Sequence, residues 1–144
     1  MSLTTEVEAK HEKVRTFLHA HHLDGVLLSK HHNFAWFTAG GSNFVNTAAE
    51  VGTAHLLITV DRRILISNNI EGARLREELE ARDEFEFEQH AWHDPRGQSE
   101  ILRAHAAGKR LACDGGIPGM SPLPSDFDLL RHTLLDGELS LIHI

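Results

Sequence analysis

Cysteine is nearly missing from this sequence: Cys113 stands alone among 144 residues, so no disulfide can form within the chain. A reducing, cytoplasmic setting is the natural expectation. No apolar run approaches the roughly 18 residues of a membrane-spanning helix. The N-terminus, Met1-Ser2-Leu3-Thr4-Thr5-Glu6, is polar and acidic and lacks the apolar stretch of a secretory signal. Positive charge is also short: 14 Lys and Arg face 21 Asp and Glu, for a formal net charge of −7, and the basic residues form no block. Nucleic acid and anionic membrane are therefore not expected as partners, because binding a phosphate backbone requires a concentrated positive patch.

Several catalytic signatures are missing as well. There is no Gly-x-Ser-x-Gly elbow, since Gly41-Ser42 lacks the flanking pattern. Gly115-Gly116-Ile117-Pro118-Gly119 matches neither phosphate-cradling loop, and its proline removes an N–H that a phosphate nest would use. Twelve histidines are present, with His19, His21 and His22 in one group and His31 and His32 in another. They read as decorating a helix end and a loop rather than as metal ligands. His11-Glu12 is followed by Lys13, Val14 and Arg15, so the second histidine of a His-Glu-x-x-His site is missing.

What is present is ordinary for one folded domain spanning residues 1–144, with 41% hydrophobic and 24% charged residues. Thr5 and Glu8 have the spacing of a capping box, and Val7, Val14, Phe17 and Leu18 recur at helical spacing, predicting a helix from Thr5 to His22. Asp24-Gly25 breaks it, and Val26 to Ser29 reads as a buried strand. His31 to Thr38 suits a short helix or turn. Ala54–Val60 and Arg63–Ser67, separated by Asp61-Arg62, read as a hairpin. Asn68 with Glu71 starts a helix carrying Leu75 and Leu79, with a Glu78–Arg82 pair on its surface. Glu84 to Glu88 alternates as a strand with one wet face. Asp94-Pro95 opens a helix with Ile101, Leu102 and His105 on one face, ended by Gly108. Arg110 to Asp114 is a short strand, Gly115 to Pro124 a loop, and Ser125 caps a last helix with Phe127, Leu130 and Leu134. Glu138 to Ile144 is a final β-like run that stops without a polar tail, which predicts a longer protein. The alternation argues for a three-layer α/β domain with a mixed sheet of about six strands and helices on both faces.

Few residues here point to chemistry. Cys113, inside Leu111-Ala112-Cys113, reads as buried and structural, and Asp114 as the residue entering a turn. Phe34, Trp36 and Phe37 form an aromatic group best suited to core packing, with a partly exposed wall for a ligand or neighbouring subunit as the competing reading. The segment Ser42 to Glu50 mixes amides, hydroxyls and a carboxylate with apolar groups; it suits a pocket wall or a solvated loop.

The ordered set Asp24-Gly25-Val26-Leu27-Leu28-Ser29, Asn33-Phe34-Ala35-Trp36-Phe37-Thr38-Ala39-Gly40, Ala54-His55-Leu56-Leu57-Ile58-Thr59 and Ile64-Leu65-Ile66-Ser67, then a helix from Asn69-Ile70-Glu71, resembles the N-terminal domain of the creatinase/prolidase/aminopeptidase P family. Trp36 stands where that family has Tyr, Phe37 where it has Leu, and Ala39 is inserted before Gly40. The resemblance implies the creatinase/prolidase N-terminal fold with its ribonuclease H-like motif. It implies a following catalytic domain of pita-bread type, in which two Asp, one His and two Glu hold two divalent ions (Mn, Co or Zn) that activate a water. The present domain would carry no metal ligand and hydrolyse nothing by itself. It would pack in a homodimer and help enclose a cleft for a short peptide, with Trp36, Asn43, Asn46 and Glu50 as the residues facing that cleft. Trp36→Ala and Asn46→Ala are then expected to lower kcat/KM and spare the melting temperature. The alternatives are the equivalent domain of a creatinase-like amidinohydrolase and a stand-alone binding domain of the same fold.

Overall fold

A computed structural model describes residues 3–38, 51–94, 96–117 and 120–132. It contains a six-stranded mixed sheet with helices on both faces. The chain opens with α1 (Leu3–His21), β1 (Gly25–Lys30) and α2 (His31–Phe37). The hairpin β2 (Val51–Thr59) and β3 (Arg63–Asn68) follows, then α3 (Asn69–Glu78), β4 (Glu86–His90), α4 (Gly97–Ala106), β5 (Leu111–Cys113), β6 (Ser121–Pro122) and α5 (Asp128–His132). The strands lie in the order β4-β3-β2-β1-β5-β6. β2 runs antiparallel to both β1 and β3, whereas β3–β4, β1–β5 and β5–β6 are parallel.

β1 lies inside the sheet with both faces covered, which is why Val26-Leu27-Leu28 is a continuous apolar run rather than an alternating one. Val26 and Leu28 join Leu56, Ile58 and Leu65 beneath α1, α2 and α3, whose buried residues include Val14, Leu18, Phe34, Phe37 and Leu75. Leu27, Leu57, Ile64, Ile66 and Leu111 face the other way, toward Leu102 of α4. Among the described residues no helix is long and apolar enough to cross a membrane.

Several element starts differ from the sequence reading. α1 begins at Leu3, which places Thr5 inside the helix; Glu8, expected to complete a capping box, pairs instead with Arg15 at 2.9 Å and Arg63 at 3.2 Å. The α3 cap is as expected, with Asn68 Oδ1 accepting from Glu71 N at 2.8 Å. The Glu78–Arg82 pair does not form: Glu78 is held by Arg74 at 3.0 Å, and Arg82 donates to the Leu79 carbonyl. A 3₁₀ turn over Arg82–Glu84 delays β4 to Glu86. α4 starts at Gly97 with Arg96 in the capping position, because Asp94 Oδ1 accepts from Arg96 N in a local turn; Pro95 lies outside the described residues. Ser125 opens a 3₁₀ turn without capping it, and the helix proper starts at Asp128. The sixth strand is Ser121–Pro122, within what reads as a loop. The expected run Glu138–Ile144, like Leu134, lies outside the described residues.

Candidate functional site

β1, β3, β4 and β5 all end at one edge of the sheet, and β2 begins there. Crevices outside the carboxyl ends of parallel strands are where open α/β sheets bind ligands. Beyond the ends of β1 and β5 this edge carries a cleft of about 710 Å³, closed on its far side by β6 and the start of α5.

Asp114 builds the floor of the cleft. Its Oδ1 accepts from Ser29 N at 2.6 Å, and its Oδ2 accepts from Lys30 N at 3.1 Å and from Asn33 Nδ2 at 2.8 Å. Asp114 follows β5 directly, so the parallel β1–β5 register brings its carboxylate to the junction where β1 becomes α2. Asn33 is 2% exposed, and its Oδ1 has no partner. Reading Asp114 as a turn residue misses this clamp; the signal in the sequence is an aspartate at a strand end together with Asn33 just after β1. Cys113 is buried, as expected, and its sulfur accepts from Ile117 N.

Trp36, one helical turn on from Asn33 in α2, is not among the residues that line this cleft. It is partly buried, packing edge-on against Phe37 and Phe127. Lys10 Nζ donates to the Trp36 carbonyl and to Glu6 Oε2, and lies 5.5 Å from the indole centroid. Trp36 therefore also holds α1, α2 and the turn before α5 together. Trp36→Ala is consequently expected to lower stability, a revision of the sequence expectation. Asn43, Asn46 and Glu50 lie outside the described residues, so the geometry of that proposed constellation does too.

Beneath α4, His55 is 3% exposed. Ser29 Oγ meets its Nδ1, and the Gln98 side-chain amide meets its Nε2. Burial, reinforced by nearby His90, pushes its pKa down to about 4, so the ring is neutral at pH 7. Both members of the Ser–His pair are buried. His11 is likewise depressed, first by burial; its Nε2 donates to the Thr59 carbonyl at 2.7 Å, and the other nitrogen has no partner. His21 is paired with Asp126 at 2.7 Å and His105 with Glu88 at 2.6 Å. Among the described residues no group of three or more His, Cys, Asp and Glu could hold a metal ion.

Residues 10–132 match the family described as the creatinase/prolidase N-terminal domain, and the chain belongs to that family. No curated protein matches it. Among solved structures, it is similar to an Xaa-Pro aminopeptidase (aminopeptidase P) from Streptococcus thermophilus, with TM-score 0.59, 16% identity, and 87% of this chain and 98% of that one covered. It is similar to an Xaa-Pro dipeptidase from Bacillus anthracis, with TM-score 0.63, 18% identity, and 93% and 38% covered. It is also similar to the dipeptidase PepE from Mycobacterium ulcerans, with TM-score 0.64, 13% identity, and 95% and 39% covered. The chain thus spans nearly the whole of the first and less than half of the other two.

Proposed function

We propose that this chain is the non-catalytic N-terminal domain of a metal-dependent Xaa-Pro aminopeptidase or dipeptidase, where it contributes to a homodimer and helps enclose the active-site cleft. The observation that carries this reading is the family match over residues 10–132, joined to fold similarity with about two fifths of longer dipeptidases. The chemistry of the domain agrees with it. The cysteine and the Ser29–His55 pair are buried, and the carboxylates of Glu8, Glu71 and Glu86 are tied to arginines. In this reading the divalent ions, the water they activate and the peptide bond to be cleaved belong to a catalytic domain that follows in a cytoplasmic enzyme.

The test compares the chain alone with the chain joined to the coding region that follows it, using Xaa-Pro dipeptides, longer Xaa-Pro peptides and creatine with added Mn²⁺, Co²⁺ or Zn²⁺. The joined protein is expected to bind metal, dimerise in light scattering and cleave Xaa-Pro bonds; the chain alone is expected to do none of the chemistry. Turnover by the chain alone, or a creatine-specific joined enzyme, would overturn the reading. In the joined enzyme Asn46→Ala is expected to lower kcat/KM by roughly five- to thirty-fold, the loss of about 1–2 kcal/mol of contact in the transition state.

A further inference from the structure

We infer that a second cavity, on the α4 face of the sheet, binds a small monocarboxylate with an apolar body. The cavity measures about 520 Å³, within the range of small-molecule sites. Ser99, Leu102, Arg103 and Ala106 of α4 line one side of it, and Ile117 and Met120 the other, where it adjoins the Asp114 cleft. The helix period explains the arrangement. Ser99 and Arg103 are four residues apart, as are Leu102 and Ala106, so each pair stacks along one of two adjoining stripes of α4. Leu102 belongs to the core on this face, and Ala106, Ile117 and Met120 pack half-buried against it. Ser99 and Arg103 are exposed at the rim.

The chain has 21 acidic residues and a net charge of −7, yet among the described residues no carboxylate lines this cavity, and Arg103 is its one charged group. Arg15, Arg62, Arg63 and Arg74 each have a carboxylate partner. The Arg103 guanidinium makes no hydrogen bond or ion pair among the described residues, and the Ser99 hydroxyl makes no hydrogen bond there either. Gln98 also lines the cavity, but its amide is taken up by His55. A planar fork of N–H donors matches the two oxygens of a carboxylate. One guanidinium carries one charge, so a monoanion fits it better than a phosphate dianion does. The apolar body is set by Leu102, Ile117 and Met120, of which the methionine adapts its shape to what it meets. Apolar surface removed from water on both partners then favours binding, and the guanidinium fixes which end of the ligand faces solvent. Two sources share this chemistry: a free medium-length acid, and the C-terminus of a peptide that ends in an apolar residue.

The test uses this chain at pH 7 with octanoate, acetyl-alanyl-leucine, octanamide and acetate. Octanamide keeps the apolar body and lacks the charge; acetate does the reverse. Binding is read from the Ser99 backbone amide and the Met120 methyl group in ¹H–¹⁵N and ¹H–¹³C spectra, beside thermal melts. Octanoate or acetyl-alanyl-leucine is expected to give saturable shifts at both positions, with octanamide and acetate each at least ten-fold weaker. The tighter of the two acids separates a free acid from a peptide C-terminus. Arg103→Gln, a surface change, is expected to weaken acid binding at least five-fold and leave the melting temperature in place. Ala106→Leu adds bulk to the cavity wall with Arg103 intact and is expected to weaken octanoate at least three-fold; it decides should Arg103→Gln fail to fold. Absence of saturable shifts, equal binding of octanamide or acetate, or unchanged affinity in Arg103→Gln overturns the assignment. Because no catalytic domain is needed, failure here leaves the peptidase reading standing, and the reverse also holds.

Discussion

Asn33 and Asp114, 81 positions apart, meet at 2.8 Å through an amide N–H and a carboxylate oxygen. The same carboxylate accepts the backbone N–H groups of Ser29 and Lys30, so it holds the exit of β1 and the entry of α2 from a neighbouring strand. Asp114→Ala removes all of these acceptors while leaving Asn33 buried. Hydrogen bonds to charged groups, and buried donors left without partners, each matter at about 1–3 kcal/mol. Asp114→Ala is expected to lower unfolding free energy by about 3 kcal/mol in urea titrations, and Asp114→Asn by less. A change below about 0.5 kcal/mol would show the clamp to be dispensable.

His55 makes stability depend on pH. Its folded pKa of about 4 lies below the ordinary 6.5, so the unfolded chain takes up the proton first. The stabilisation is complete above about pH 6.5 and is lost progressively as pH falls toward 4. A displacement of this size corresponds to about 3 kcal/mol. His11, also depressed by burial, acts in the same direction. Urea titrations at several pH values should show the native chain losing more stability between pH 7 and pH 4 than His55→Gln. Parallel slopes in the two proteins would contradict the assignment.

Two helical glycines separate a rigid contact from a yielding one. A Cβ at Gly97 would lie 2.5 Å from His90 Cβ, next to the β4 backbone, and has little room to shift. A Cβ at Gly72 would strike Gln89 at its amide end, 1.9 Å away, and that side chain can rotate aside. Alanine in a helix interior also gains up to about 1 kcal/mol over glycine. Gly97→Ala is expected to destabilise by about 1–3 kcal/mol. Gly72→Ala should change the melting temperature little; a reversed order in thermal melts would contradict the local geometry.

Lys10 is buried by α1 against α2, yet its ammonium has both a carboxylate and a carbonyl partner. Lys10→Met keeps most of the apolar stem and removes the donor, leaving the Trp36 carbonyl short of one bond. The expected cost is about 1–2 kcal/mol. Because the ammonium also faces the indole, the Trp36 fluorescence should shift in Lys10→Met, measured in a Trp92→Phe background. No spectral change would mean that the two side chains do not meet in solution.

The hairpin, the Asn68 cap and the buried Val26–Leu28 strand are legible because each rests on neighbours in sequence: turn residues, a capping spacing, an apolar run. The starts of α1 and α4 are less so: Glu8, spaced to cap with Thr5, meets Arg15 and Arg63 instead, and Asp94 folds back on Arg96. Two-residue β6 carries no periodicity that a pattern could reveal; it exists because β5 offers an edge. The cleft was least legible. Asn33 and Asp114 look unremarkable apart, and only the parallel pairing of β1 with β5 brings them together. Trp36 stands out in the sequence by its aromatic side chain, but its attachment to Lys10 joins two helices whose pairing no local pattern predicts.

The position of β1 has a consequence for synthesis. Its partner on one side, β2, is complete by Thr59, but on the other side Gly25, Val26 and Leu27 wait for Leu111, Ala112 and Cys113. A nascent chain shorter than that has helices, a hairpin and β4 in hand, and an inner edge of the sheet still open. Such an edge, lined with Val26 and Leu28, is a template for a neighbouring chain on the same polysome. Pairing so distant in sequence also closes slowly. One of the two central strands of the sheet is therefore among the last to be enclosed.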